Sequence, residues 1–203
     1  MTEPCEKCGK PKDVCVCERV VPQAVKTRIV ILQHPQEQDV VLGTAPLLEA
    51  AVGATRKVGL SWPNLAAVAP EATGRWAVAW PLSLPKALEG MVSSVPVLAV
   101  DRRGGPVPMG LEGVILLDGT WSQAKTLWWR NAWLLRLDRL LIRPKEPSIY
   151  GRVRREPRKE MISTLETAAE TLTANGEDPG VATHLRALMR AMVQRARDAA
   201  PSA

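Results

Sequence analysis

Six short runs rich in β-branched and apolar residues punctuate this chain, at 27–33 (TRIVILQ), 57–60, 76–80, 95–100, 114–117 and 140–142, with helix-length or turn-rich segments between them. Alternation of this kind predicts an α/β fold on a sheet. Thr44 is placed to cap a helix bearing Leu47, Leu48 and Ala51, and a second helix is expected from Ser122 to about Arg136. The C-terminal third reads as helical. Ser163-Thr164-Leu165-Glu166 has the form of a capping box, and Leu165, Ala168, Ala169 and Leu172 then share a face until Asn175-Gly176. From Asp178-Pro179 a last helix points Val181, Leu185, Leu188, Met189 and Met192 inward and leaves Arg186, Arg190 and Arg197 to solvent. At 203 residues and 46% apolar, the chain has material for one domain, expected over 23–203, with a small appendage over 1–22. No stretch reaches the roughly 18 uninterrupted apolar residues that a membrane span needs.

All four cysteines lie in the first 17 residues: Cys5, Cys8, Cys15 and Cys17. The C-x2-C-x6-C-x-C spacing brings two close pairs of soft ligands onto one ion, and Gly9, Lys10 and Pro11 suit the tight turn between them. Four thiolates with no open position describe a structural zinc site, against which free thiols, two short disulfides or a redox switch are the competing readings. The opening Met-Thr-Glu-Pro-Cys-Glu lacks a basic segment followed by an apolar one, so a cytoplasmic location is expected, where thiols stay reduced.

The charge is uneven. Between Arg136 and Lys159 nine basic residues face three acidic ones, a net +6 that equals the formal charge of the whole chain. Such a concentration reads as a phosphate-contacting face, with Arg152, Arg154, Arg155 and Arg158 at its centre; the competing reading is a solvated loop.

The run 113–117 ends in Asp118-Gly119-Thr120-Trp121, followed by a helix. A carboxylate at the end of a buried strand, then glycine and a helix start, is where α/β proteins place ligand-binding groups. Thr120 is equally a helix cap and Asp118 a turn former. Trp121, Trp128 and Trp129 are read as one face with Ala124 and Lys125, packed in the core, while Trp121 beside Asp118 can instead line a pocket for a base. His34 follows a strand end and is read as a pocket residue or a local backbone partner; His184 is read as structural.

These segments resemble the DTW-domain family, the tRNA-uridine aminocarboxypropyltransferases. The resemblance rests on Asp118-Gly119-Thr120-Trp121 with Ala124, and on other matches in the same order: the cysteine knuckle, Leu32-Gln33-His34-Pro35-Gln36-Glu37, Tyr150 with Arg154-Arg155-Glu156-Pro157, and Ser163-Thr164-Leu165-Glu166. Where the family usually has Asn-Thr-Gly after the His-Pro segment, Gly43-Thr44-Ala45 keeps only the threonine, and that loop is assigned no ligand contact.

The resemblance implies an α/β fold of SPOUT-like type, a knotted sheet with flanking helices, a small N-terminal zinc knuckle and a helical C-terminus. It implies transfer of the 3-amino-3-carboxypropyl group of S-adenosylmethionine to the uracil ring nitrogen between the two carbonyls, releasing methylthioadenosine. In this reading Asp118 is the proton acceptor or base-orienting group, and His34, Thr120, Trp121, Ser163, Thr164 and Glu166 bind the donor. For Ser163 and Glu166 a reciprocal helix cap without ligand is the equal alternative. Tyr150, Arg152, Arg154, Arg155 and Arg158 would hold tRNA, with the knuckle as a second RNA surface, and no obligate protein partner is expected. The rival functions are a methyltransferase using the same donor and a zinc-containing RNA-binding module without catalysis.

Overall fold

Along Arg28–Gln33 (β1) successive side chains enter two different apolar layers, Ile29 and Ile31 on one face and Val30 and Leu32 on the other. That period of two, apolar on both sides, marks a strand covered by helices on both faces. The computed structural model describes residues 3–79, 95–151, 153–154 and 162–199. The remaining strands are β2 (Thr55–Val58), β3 (Trp76–Ala79), β4 (Val97–Val100), β5 (Gly113–Asp118) and β6 (Asp138–Ile142), in the order β2-β1-β5-β3-β6-β4. All pairings are parallel except β4 with β6 at the edge. The register sets Gln33 opposite Asp118, so the carboxyl ends of the two central strands lie side by side.

Helices α1 (Ala45–Val52), α3 (Thr164–Ala174) and α4 (Pro179–Asp198) share the larger core with Ile29, Ile31, Val114 and Leu116. As expected from their spacing, Val181, Leu185, Leu188, Met189 and Met192 are all buried there. Helix α2 (Trp121–Arg130) covers the other face through Ala124 and Trp128, and its Leu127 is buried too. Among the described residues no helix is long and apolar enough to cross a membrane.

Three expectations need correction. The second strand lies at 55–58, two residues earlier than the apolar run suggested, because it is an edge strand whose side chains are half-buried or exposed. Helix α2 stops at Arg130, followed by a 3-10 turn over Ala132–Arg136, where sequence suggested one helix to about Arg136. The cause is Asn131. Its fully buried amide donates to the Leu127 and Leu60 carbonyls at 2.7 and 3.0 Å and accepts the Trp62 N–H at 2.8 Å, contacts that continued helix would not allow. Trp128 and Trp129 also part company: Trp128 is 5% exposed and Trp129 74%, since consecutive helical residues point about 100° apart.

Of the basic stretch, the structure describes the part around β6. Exposed Arg136 precedes β6, Arg139 lies over the Trp128 ring at 5.9 Å, and exposed Arg143 and Lys145 follow the strand. Five strand residues, about 17 Å, separate its two ends, so this part of the chain is not one face. Arg152, Arg155 and Arg158, like Trp80, lie outside the described residues.

Gly113 pairs with Trp76, and a Cβ built on it would meet the indole ring at 2.4 Å. Gly113→Ala is therefore expected to destabilise the fold by about 1–3 kcal/mol, read as a lowered Tm. An unchanged Tm would show that the indole gives way without cost.

Candidate active site and cysteine centre

Asp118 ends β5 and is 6% exposed. Its Oδ2 accepts from Gln33 Nε2 at 2.7 Å, and its Oδ1 accepts from the Thr164 hydroxyl. Gln33 in turn accepts from Arg56 at 3.1 Å, and Arg56 pairs with Glu49 at 2.7 Å. Both carboxylate oxygens are thus oriented by neutral donors, and each keeps a second lone pair. Three segments meet here: the end of β1, the end of β5 and the start of α3.

The two motif helices start with the reciprocal caps that sequence left open. Thr120 Oγ1 accepts from the Gln123 N–H at 3.4 Å while Gln123 Oε1 accepts the Thr120 N–H at 2.6 Å. Ser163 Oγ accepts from Glu166 N–H at 3.1 Å, and Glu166 Oε2 accepts the Ser163 N–H at 2.9 Å. Glu166 is 6% exposed and also takes the Ile149 N–H and the Ser148 hydroxyl, both at 2.8 Å, so its carboxylate is engaged by the chain itself. Trp121 is half-buried with Lys125 Nζ 5.1 Å from its ring centre. His34 is half-buried; its Nδ1 accepts the Gln36 N–H at 3.3 Å and its own N–H donates to the Asp118 carbonyl at 2.9 Å.

Tyr150 is 2% exposed, inside the larger core, and its hydroxyl donates to the Leu42 carbonyl at 2.6 Å. Arg154 lies over the Tyr150 ring at 5.6 Å and pairs with buried Glu37 at 3.2 Å. Of the basic residues read as RNA contacts, Arg154 is therefore tied inward to the His-Pro segment. His184 Nε2 accepts the Val21 N–H at 3.2 Å, joining α4 to the N-terminal segment.

The sulfurs of Cys5, Cys8, Cys15 and Cys17 all lie within 4.8 Å of one another, with Cys8 and Cys15 3.6 Å apart. A tetrahedral zinc at about 2.3 Å from each sulfur sets them about 3.8 Å apart, so the donor set and its spread fit such an ion. Hydrogen bonds from the Cys15 thiol, then from the Lys7 and Cys8 N–H groups, hold the Cys5 thiol down to about 6. Burial pushes Cys15 and Cys17 up. Four thiolates at this spacing would repel one another, and a dication removes the conflict.

The knuckle is welded to the domain. Val14 and Val16 belong to the larger core, and Arg195 of α4 donates to the Cys15 carbonyl and pairs with Glu18 at 2.5 Å. Lys10 is 4% exposed, with Nζ 2.7 Å from the Val41 carbonyl and 2.5 Å from the Gly43 carbonyl. Burial lowers its pKa, against the charges of Cys8, Asp118, Cys17 and Cys15.

Sequence reasoning passed over Gln33, Lys10 and Glu37 as individual site residues. Gln33 had a signal, a polar residue ending an apolar strand beside the one that ends in Asp118. Lys10 had none, because a lysine in a metal knuckle reads as solvated.

The DTW domain profile matches residues 2–197. The tRNA-uridine aminocarboxypropyltransferase 2 of Drosophila melanogaster is 35% identical over 175 residues, covering 83% of this chain and 64% of the relative. The Mus musculus protein of the same name is 31% identical over 179 residues, covering 83% of this chain and 55% of the relative. The chain thus spans between about half and two thirds of these relatives' lengths. No solved structure matches. With the profile covering nearly its whole length, and the Asp118-Gly119-Thr120-Trp121 signature at the carboxyl edge of the sheet, the chain belongs to the DTW-domain family.

Proposed function

We propose that this chain transfers the 3-amino-3-carboxypropyl group of S-adenosylmethionine to the ring imide nitrogen of a tRNA loop uridine. The observation that carries the reading is the buried Asp118 carboxylate, oriented from both sides at the meeting point of β1, β5 and the α3 N-terminus. The names of the relatives support the reaction class. The donor supplies a sulfonium whose γ-carbon is already electrophilic. As the nitrogen–carbon bond forms, the carbon–sulfur bond breaks, methylthioadenosine leaves, and the imide proton passes to Asp118.

The chain's own residues do the aiming. Gln33 and Thr164 fix the carboxylate plane, so its free lone pairs present a constant direction to the base. In the first turn of α3 the Ser163, Leu165 and Glu166 N–H groups already have acceptors in the chain, and the Thr164 N–H suits the carboxylate of the donor's amino-acid end. Glu166, already taken up by the cap and by 148–149, keeps that turn in place. His34 borders the same strand ends, Thr120 anchors the α2 start, and Trp121 offers its ring to the uracil or adenine. The cysteine centre holds a structural zinc. A SPOUT-like knot is part of the same reading, supported by the return of the chain after β6 to Leu42, Glu37, Thr44 and Asp118. Arg152, Arg155 and Arg158 are the residues assigned to the tRNA backbone, whereas Arg154 is held by Glu37 and Tyr150 serves the inside.

Incubation with unmodified tRNA and S-adenosylmethionine is expected to yield aminocarboxypropyl-uridine by nucleoside mass spectrometry, with methylthioadenosine in equal amount. S-adenosylhomocysteine as product would indicate methyl transfer, and no modification of any tRNA would leave a binding module.

A further inference from the structure

Three consecutive carbonyls of the loop before α1 are held by side chains from distant parts of the chain. Lys10 Nζ takes those of Val41 and Gly43 at 2.7 and 2.5 Å, and the Tyr150 hydroxyl takes that of Leu42 at 2.6 Å. The next residue, Thr44, accepts the Leu165 N–H at 3.3 Å in the first turn of α3, and the neighbouring Thr164 hydroxyl donates to Asp118. The line of contact from the cysteine knuckle to the carboxylate is therefore unbroken.

Ordinary loop closure does not explain the clamp. The segment already has turn hydrogen bonds from Gly43 N–H to Val40 and from Val40 N–H to Glu37, at 2.8 and 3.3 Å. Removing a lysine ammonium from water carries a large desolvation cost, which two neutral carbonyls and the nearby charges of Cys8 and Asp118 offset only in part. Exposed at the knuckle surface, the same lysine would carry no such cost. What burial adds is a fixed direction for the main chain that leads into Thr44.

We propose that Lys10 and Tyr150 are positioning residues of the transfer site, holding residues 41–43 so that Thr44 keeps the α3 N-terminus on Asp118. The cysteine knuckle then serves the donor side of the site, and RNA affinity does not depend on Lys10. This inference rests on the transfer reading above.

The test uses the full metal-loaded chain with Lys10→Met, Lys10→Arg, Tyr150→Phe and the double Lys10→Met/Tyr150→Phe. Expected for Lys10→Met are one metal per chain as in the unsubstituted protein, tRNA affinity within about twofold, and S-adenosylmethionine affinity lowered about tenfold or more by calorimetry. Lys10→Arg recovers most of the loss. Tyr150→Phe weakens donor binding about threefold, and the double variant falls short of the product of the two single effects, because both residues act on one loop. Hydrogen exchange at the Leu165 amide, measured without ligand, rises in Lys10→Met. Unchanged donor affinity and exchange in Lys10→Met, a loss confined to tRNA binding, or fully multiplicative effects would each overturn the proposal. Should Lys10→Met not fold, Tyr150→Phe decides by the same two readouts. If the unsubstituted protein binds no S-adenosylmethionine, the functional reading fails, and the Leu165 exchange still reports on the clamp.

Discussion

Asp118→Asn is expected to lower turnover by about 10²–10⁴-fold while the protein folds and binds tRNA as before. The substitution is nearly isosteric, and the site accommodates it without rearranging its neighbours. An asparagine can turn its carbonyl oxygen to Gln33 Nε2 and its NH2 to Thr164, whose hydroxyl can switch from donor to acceptor. Both original hydrogen-bonding lines survive, so the Tm should stay within a few degrees. What disappears is the negative charge and the capacity to take the imide proton. Single-turnover rates with saturating tRNA and S-adenosylmethionine, beside filter binding of the same tRNA, separate the two roles. A variant with near-normal turnover would remove Asp118 from the chemistry, and one with lost tRNA affinity would make it a binding residue.

Loss of the proposed zinc carries the other large effect. Cys15→Ser is expected to release the ion, which metal analysis would otherwise count as one per chain, and to destabilise the fold by about 3–5 kcal/mol. Isolated zinc fingers lose all structure without metal, about 10–16 kcal/mol of binding energy. Here the knuckle also shares the larger core through Val14 and Val16, so part of its order survives. At roughly 2–4 °C per kcal/mol for a chain of this size, the Tm should fall by about 6 °C or more. The segment around residues 3–20 should become the first site of protease cleavage. Equal Tm and equal protease resistance in the metal-free and loaded proteins would refute a structural role for the centre.

The strand and helix pattern was legible in the sequence because alternation and caps are local. Ile29 to Leu32 form the strand their β-branched run suggested, and Ser163 with Glu166 forms the box its spacing suggested. The misread places are governed by distant partners. Asn131 ends α2 because Leu60 and Trp62 lie opposite it, and no window around 131 contains them. The charge of residues 136–159 summed as one feature along the chain, yet of its described members Arg136 precedes β6 while Arg143 and Lys145 follow it. At the site, Asp118 was visible as a strand-end carboxylate in a short motif. Lys10 was legible only as part of the knuckle turn and Tyr150 as a residue holding tRNA, and only the folded loop at 41–43 shows them gripping the main chain from inside.

The place of β5 between β1 and β3 bears on how the chain acquires its shape. Both neighbours precede it, and the Gln33–Asp118 register joins residues 85 positions apart. At ribosomal rates of about 5–20 residues per second, β1 waits about 4–17 s for that partner to be made. Until then it can pair only with the short edge strand β2, and β3 has no earlier strand beside it. Such long-range pairing slows folding and leaves apolar strands open to other chains. During synthesis the N-terminal half therefore keeps open strand edges until β5 is made, and a fragment ending before Gly113 has no central strand on which to assemble.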